Sequence, residues 1–304
     1  MELVLILLTI PAILGVGYGA SAVGVLTIPR RRLLNGLAYY IALPALLFTS
    51  TADRPISEMF SVRLFVGVVV VMLGTIAIAW VVHRGTSNPG VRSVAIMQSY
   101  HTNFGYLGVP LVALIFGELA TARAAMILGI GALIQITATV TILTTVIGDG
   151  RNVRLVRQIG TNPILIALFL GILTSALSLT PPDIPFYLLQ WLGDLALPLA
   201  LLCTGAALTV TADTFDPRLV SEVILVKIVF MPALALLVFL GFGADLATVH
   251  AGVLMFAMPA AVSTYVFASE LGGNREVASI NVVATTVAST ASLFLVVWIL
   301  ITLT

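Results

Sequence analysis

The sequence predicts an all-α polytopic membrane protein. Ten transmembrane helices fall into two inverted five-helix repeats, residues 1–150 and 151–304, with helices 4 and 9 interrupted near the bilayer midplane. Three observations lead there. Hydrophobic residues make up 60% of the 304 and charged residues only 9%, with a mean hydropathy of +1.15. Soluble domains run at about 25% charged, so the solvent of this chain is lipid. Apolar stretches near the ~20 residues that a span needs recur along its whole length, and proline motifs of the first half return in the same order in the second.

Cutting at charges and at Pro, Gly and Asn clusters places the spans at 3–27, 33–52, 64–82, 91–117, 122–148, 158–179, 186–210, 217–241, 246–270 and 276–303. The opening "MELVLILL" has an acidic residue where a signal peptide carries a basic n-region, so it reads as a retained first span. Ten loop arginines (Arg30, Arg31, Arg32, Arg84, Arg92, Arg151, Arg154, Arg157, Arg218 and Arg275) fall on one side, against Arg54, Arg63 and Arg123 on the other. The positive-inside rule makes the first side cytoplasmic, with loop 148–160, and places both termini outside the cell membrane.

"ALPALLF" at 42–48 returns as "ALPLALL" at 196–202, and Pro110 is echoed by Pro259; the two proline pairs are offset by 154 and 149 residues. An odd number of spans per half inverts the second copy. Inverted repeats are a signature of secondary transporters, whose sites lie between the repeats near the midplane.

The interruptions are "NFGYLGVP" in the fourth span and "MPAAVSTY" in the ninth. Pro110 and Pro259 each remove a backbone donor and crowd the preceding turn, and Gly105 and Gly108 loosen the chain ahead of Pro110. Irregular backbone at that depth survives only where protein or water satisfies it. The N–H groups opening a second half-helix suit an anion, and the carbonyls ending a first half-helix suit a cation. Polar side chains crowd the first break: Gln98, Ser99, His101, Thr102 and Asn103. Proline kinks without function are common in membrane helices, and that plain reading applies to Pro44 and Pro198.

Ser263, Thr264 and Tyr265 follow the second break directly and are candidates for the site. Asp194 and Lys227 are intramembrane charges at depths about 9 Å apart, readable as counter-charge or proton-coupling groups, or as an interface anchor and a snorkelling lysine. His101 titrates or only lines a wall. Gln135, Thr137, Thr139 and Thr141 in the fifth span and Thr285, Thr286 and Ser289 in the tenth occupy equivalent places in the two halves; such groups usually bond between helices, and Gln135 is the one expected to reach a pocket.

A formal net charge of +1 offers no field for nucleic acid. The lone Cys203 rules out an internal disulfide and a cysteine zinc cage. No H-E-x-x-H, G-x-S-x-G or P-loop pattern is present, so the chain is expected not to be an enzyme and to need no cofactor; proton coupling, sodium coupling and no coupling all stay open.

"NFGYLGVPLV", "ALPALLF", "NPILIALFLGIL", "ALPLALLCTGAAL" and "MPAAVSTYVFASELGG" together resemble the auxin efflux carrier family, which includes plant auxin exporters and bacterial carriers of malate- or malonate-like acids. The resemblance implies helices 4 and 9 crossing at the midplane, a fold shared with bile acid:sodium symporters, a transport domain moving against a scaffold in an elevator-like cycle, and a homodimer. It maps Asn103, Gly105, Gly108 and Pro110 onto the fourth-helix crossover motif and Pro259 onto the ninth. The long central loop of plant members is about a dozen residues here, so the plant substrate and regulation do not carry over. The expectation is a secondary transporter of a small organic anion, a carboxylate, bound by Asn103 and its neighbours. The alternatives are a sodium-coupled symporter with the ion near Gln98 and Asn103, and a membrane sensor that binds without transport.

Overall fold

The computed structural model describes residues 2–148, 160–207 and 216–303. Among these the secondary structure is helical throughout, apart from one isolated antiparallel bridge, Thr102 to Ala260. Six helices are long and apolar enough to cross a membrane: Ile28–Ala52, Val62–Gly85, Phe104–Ile147, Asp183–Ala206, Pro217–Gly241 and Arg275–Thr302. Pro163–Ala176 and Leu246–Phe256 are shorter apolar helices, and the chain opens with helix Glu2–Ala22.

Helix starts follow from capping chemistry. Asn88, Asn162 and Asp216 each precede a proline, and each side chain accepts hydrogen bonds from backbone N–H groups of the first turn. The proline fills the first helical position, where its missing donor costs nothing. Ser61, Asp245 and Asn274 cap three further helices in the same way.

Several expected boundaries move. The first helix stops at Ala22 rather than at 27, ahead of Gly24 at φ +77°. The second begins at Ile28, so Arg30, Arg31 and Arg32 lie in its first turns and not in a loop. Spans four and five are joined without a loop: the hydrogen-bonded run Val109–Ile147 turns sharply at Gly117, whose φ of 74° and ψ of −170° only glycine adopts readily. The central segment with Arg151, Arg154 and Arg157 lies outside the described residues, apart from Gly148 and Gly160 at its edges.

The helices pack in two groups of different character. In one, backbones touch through glycine. A Cβ on Gly17 would sit 2.2 Å from the Leu202 carbonyl oxygen, and one on Gly205 would sit 2.1 Å from that of Leu14. Gly171 meets Phe48 and Thr51, and Gly193 meets Leu46. These contacts join Glu2–Ala22 to Ala196–Ala207, and Leu43–Ala52 to Pro163–Ala176 and Asp183–Asp194; small residues are what allow such approach in lipid. The other group centres on Val62–Val82, Pro89–Tyr100, Val109–Ile147, Pro217–Gly241, Leu246–Phe256 and Arg275–Thr302. It holds nearly all the buried polar side chains of the described residues; Thr51 and Thr204 are the exceptions.

Candidate functional site

Helix Pro89–Tyr100 ends at residue 100, and residues 101–103 run extended before a wide π turn at Phe104–Gly108. Helix Leu246–Phe256 likewise gives way at 257–262 before Ser263–Glu270. The two open segments pair antiparallel. The Asn103 N–H donates to the Pro259 carbonyl and the Ala261 N–H to the His101 carbonyl, both at 3.0 Å, on either side of Thr102 and Ala260. Each interruption thus satisfies backbone groups that the other exposes, which lipid cannot do.

The remaining inward N–H groups are met by side chains. Gln135 Oε1 accepts from the Thr102 N–H at 2.6 Å, and Thr285 Oγ1 accepts from the Ala260 N–H at 3.3 Å. Gln135 and Thr285 belong to the two groups of polar residues that the sequence places equivalently in the two halves, and they do equivalent work on the two bridge residues. Gln98 Nε2 donates to Thr264 Oγ1 at 2.9 Å and to the Ala278 carbonyl at 2.8 Å. Gln98 Oε1 and both polar atoms of Asn281 are buried without a protein partner.

Beside the bridge lies a cavity of about 640 Å³. Of the candidates named from the sequence, His101, Thr102, Asn103, Gly105, Gln135 and Ser263 line it. Its far walls were not anticipated: Tyr39 and Tyr40 with Asn35 and Arg32 on one helix, Cys203 and Thr204 on another, and Tyr106, Phe267 and Glu270. The spacing of 32, 35, 36, 39 and 40 is one helical face, a signal the sequence carried but which an apolar-span reading overlooks. The cavity reaches Arg32 at the start of Ile28–Ala52 and Asn162, the cap of Pro163–Ala176.

At the opposite end of Ile28–Ala52 the helices are tied together. Arg54 pairs with Glu118 and lies 3.8 Å from Glu58. Arg123 pairs with Asp245, bonds Thr248, and donates to the Glu58 carbonyl at 2.9 Å. Burial pushes the Asp245 carboxyl upward, but hydrogen bonds from Arg123 and Thr248 outweigh it and hold the group below its ordinary value.

Several expected residues lie elsewhere. Pro110 is buried in the first turn of Val109–Ile147, away from the cavity, and the break lies upstream of it at 101–103. The missing donor is absorbed by the π turn that precedes it. Gly108 is a contact point, not a hinge: a Cβ there would meet Met255 Sδ at 2.6 Å. Pro259 acts through its carbonyl and does not line the cavity. Thr264 is buried behind the wall, bonded to Gln98, while Tyr265 is 42% exposed and off the cavity lining. Asp194 is exposed at the end of Asp183–Asp194 and forms no ion pair with Lys227. Two of the N–H groups that open the half-helix after the first break are already engaged. Asn103 Oδ1 accepts from the Tyr106 N–H at 3.2 Å, and the Phe104 N–H donates to the Thr102 carbonyl.

His101 Nδ1 and the Tyr100 hydroxyl both meet Thr139 Oγ1, at 2.9 and 3.0 Å, so His101 is a hydrogen-bonded residue of the cavity wall.

The sequence profile of the membrane transport protein family matches residues 1–159 and 151–299. The chain belongs to that family, as its resemblance to the auxin efflux carriers implied. It is 28% identical over 272 residues to a protein of Rhizobium meliloti named "Putative malonate transporter", covering 85% of this chain and 83% of the relative. A protein of Methanothermobacter thermautotrophicus named "Uncharacterized transporter" is 29% identical over 195 residues, 63% of each chain. Another so named, from Methanocaldococcus jannaschii, is 26% identical over 229 residues, 71% of each.

Proposed function

We propose that this membrane transport protein moves a small carboxylate, with malonate as the first candidate, by alternating access at the paired helix breaks. The observation that carries the reading is the pairing of the two breaks beside a 640 Å³ cavity that His101, Thr102, Asn103 and Ala261 line. It supplies polar backbone and Asn103 at the depth where a transporter holds its cargo. The malonate-named relative supports the substrate class.

The exchange of hydrogen bonds across the bridge, and the matching roles of Gln135 and Thr285, support ten helices in two inverted repeats with helices 4 and 9 crossing. The glycine-packed group is the scaffold and the polar group the moving body of an elevator-like cycle, in a homodimer with both termini outside. The cavity reaches toward the arginine-rich side while Arg54–Glu118 and Arg123–Asp245 tie the other, the arrangement of a cytoplasm-facing state.

Proteoliposomes loaded with malonate should accumulate labelled malonate by counterflow, and uptake should saturate. Binding without accumulation would instead favour a sensor. A second reading, sodium coupling, rests on the unpartnered oxygens of Gln98 and Asn281 beside the crossing. Uptake that collapses when choline replaces sodium would favour it.

A further inference from the structure

Lys227 is the sole lysine of the chain and is fully buried, on the π turn Leu225–Phe230 in the middle of Pro217–Gly241. Its ammonium donates to Thr102 Oγ1 and lies 3.0 Å from Met231 Sδ. Thr102 Oγ1 in turn donates to the Tyr100 carbonyl at 3.0 Å, at the C-terminal end of Pro89–Tyr100, where the helix dipole favours a cation. Among the described residues no carboxylate pairs with Lys227. The helices packed against its turn bring Arg63, His83, Arg92, Tyr100, Arg218, Glu222, Arg275 and Glu276, and His101 follows the break; Glu222, the carboxylate nearest in the chain, is engaged by Arg218 and His83. None of these is hydrogen-bonded to it.

A buried amine without a carboxylate partner is costly to charge, so it holds its proton best when an anion is near, and it is rarely retained in an apolar core without a role. Thr102 connects this amine to the cavity: its hydroxyl accepts the Lys227 bond and the residue lines the cavity.

Building on the carboxylate reading above, we propose that Lys227 is the counter-charge of the substrate anion, a tethered cation that acts through Thr102 and makes anion binding independent of sodium. It is a positioning residue and does not touch the substrate. A unit charge one residue away, at an effective dielectric near 20, is worth more than about tenfold in affinity for an anion and almost nothing for a neutral ligand.

The test measures binding of malonate, acetate, succinate and the neutral diamide malonamide to the purified full chain, in sodium and in choline buffers. The native chain should bind a carboxylate equally in both buffers. Lys227→Met, close in size and apolar, should lose tenfold or more for the carboxylate and leave any malonamide binding unchanged. Because the chain has one lysine, ¹⁵N-lysine labelling yields a single side-chain resonance. It should shift on saturation with the carboxylate and not with malonamide, a readout that stands even if the variant fails to fold. Carboxylate binding that survives Lys227→Met, that requires sodium, or that leaves the resonance unmoved overturns the inference alone. A native chain that binds no carboxylate overturns the inference and the proposed function together.

Discussion

The two helix breaks have the same backbone plan and opposite chemistry. At 101–103 the opened chain carries His101, Thr102 and Asn103, buried residues that line the cavity. At 257–262 it carries Met258, Pro259, Ala260 and Ala261, buried residues that contribute mainly N–H and carbonyl groups. One arm supplies chemistry and the other completes the bridge. Similar backbone openings therefore carry different side chains, because a bridge needs only main-chain groups from both partners and leaves the side chains of each arm free to differ.

The largest effect that would break this asymmetry falls on Asn103. Asn103→Ala removes the cap on the Tyr106 N–H and a cavity-lining amide, and malonate counterflow should drop tenfold or more. Ala261→Gly on the opposite arm keeps its N–H bond to His101 and should stay within about twofold, given the modest cost of an added glycine. Comparable losses in both would show the arms to be equivalent.

Next comes the pair that satisfies the bridge. Gln135→Leu leaves the buried Thr102 N–H unpaired, a loss of about 1–3 kcal/mol, readable as a lowered melting temperature in detergent. Thr285→Val removes a bond that is already long at 3.3 Å and should shift the melting temperature less than half as far. Thr264→Val takes one of two acceptors from Gln98 Nε2 while the Ala278 carbonyl remains, for a loss near 1 kcal/mol.

The smallest effect lies outside the crossing, at the Arg123–Asp245 tie. A carboxyl held below its unfolded value, about 3.9, contributes its stability above that pH. The contribution is lost as pH falls through the lower folded value. Melting of the native chain should therefore decline below about pH 4 more than that of Asp245→Asn. The difference should stay under about 1 kcal/mol because the Asp245 side chain is 52% exposed. Parallel profiles would remove Asp245 from the closure of that end.

The helices were legible in the sequence. Apolar length, Asn-Pro and Asp-Pro starts and glycine ends are local signals, and the structure moved boundaries by a few residues more than it changed elements. The polar stretch at 98–103 was also legible, since side chains costly in lipid mark where lipid is absent. Pro110 misled by one step: the proline shifted the helix into a π turn and the opening fell upstream of it. Tyr265 was placed by adjacency to the break, but a helix turns about 100° per residue, so only Ser263 of that trio faces the cavity.

By itself the sequence determined a lipid-embedded helical chain, and two polar or proline-bearing interruptions at matching positions. Both follow from the cost of bare backbone and polar groups in an apolar solvent, which each segment meets locally. Only the tertiary structure decided that Thr102 meets Ala260, that Gln135 reaches the Thr102 N–H, and that Lys227 lies beneath Thr102 rather than beside Asp194. Those contacts join distant parts of the chain, and which helix faces meet depends on glycine-permitted approach and on the mutual satisfaction of opened backbones.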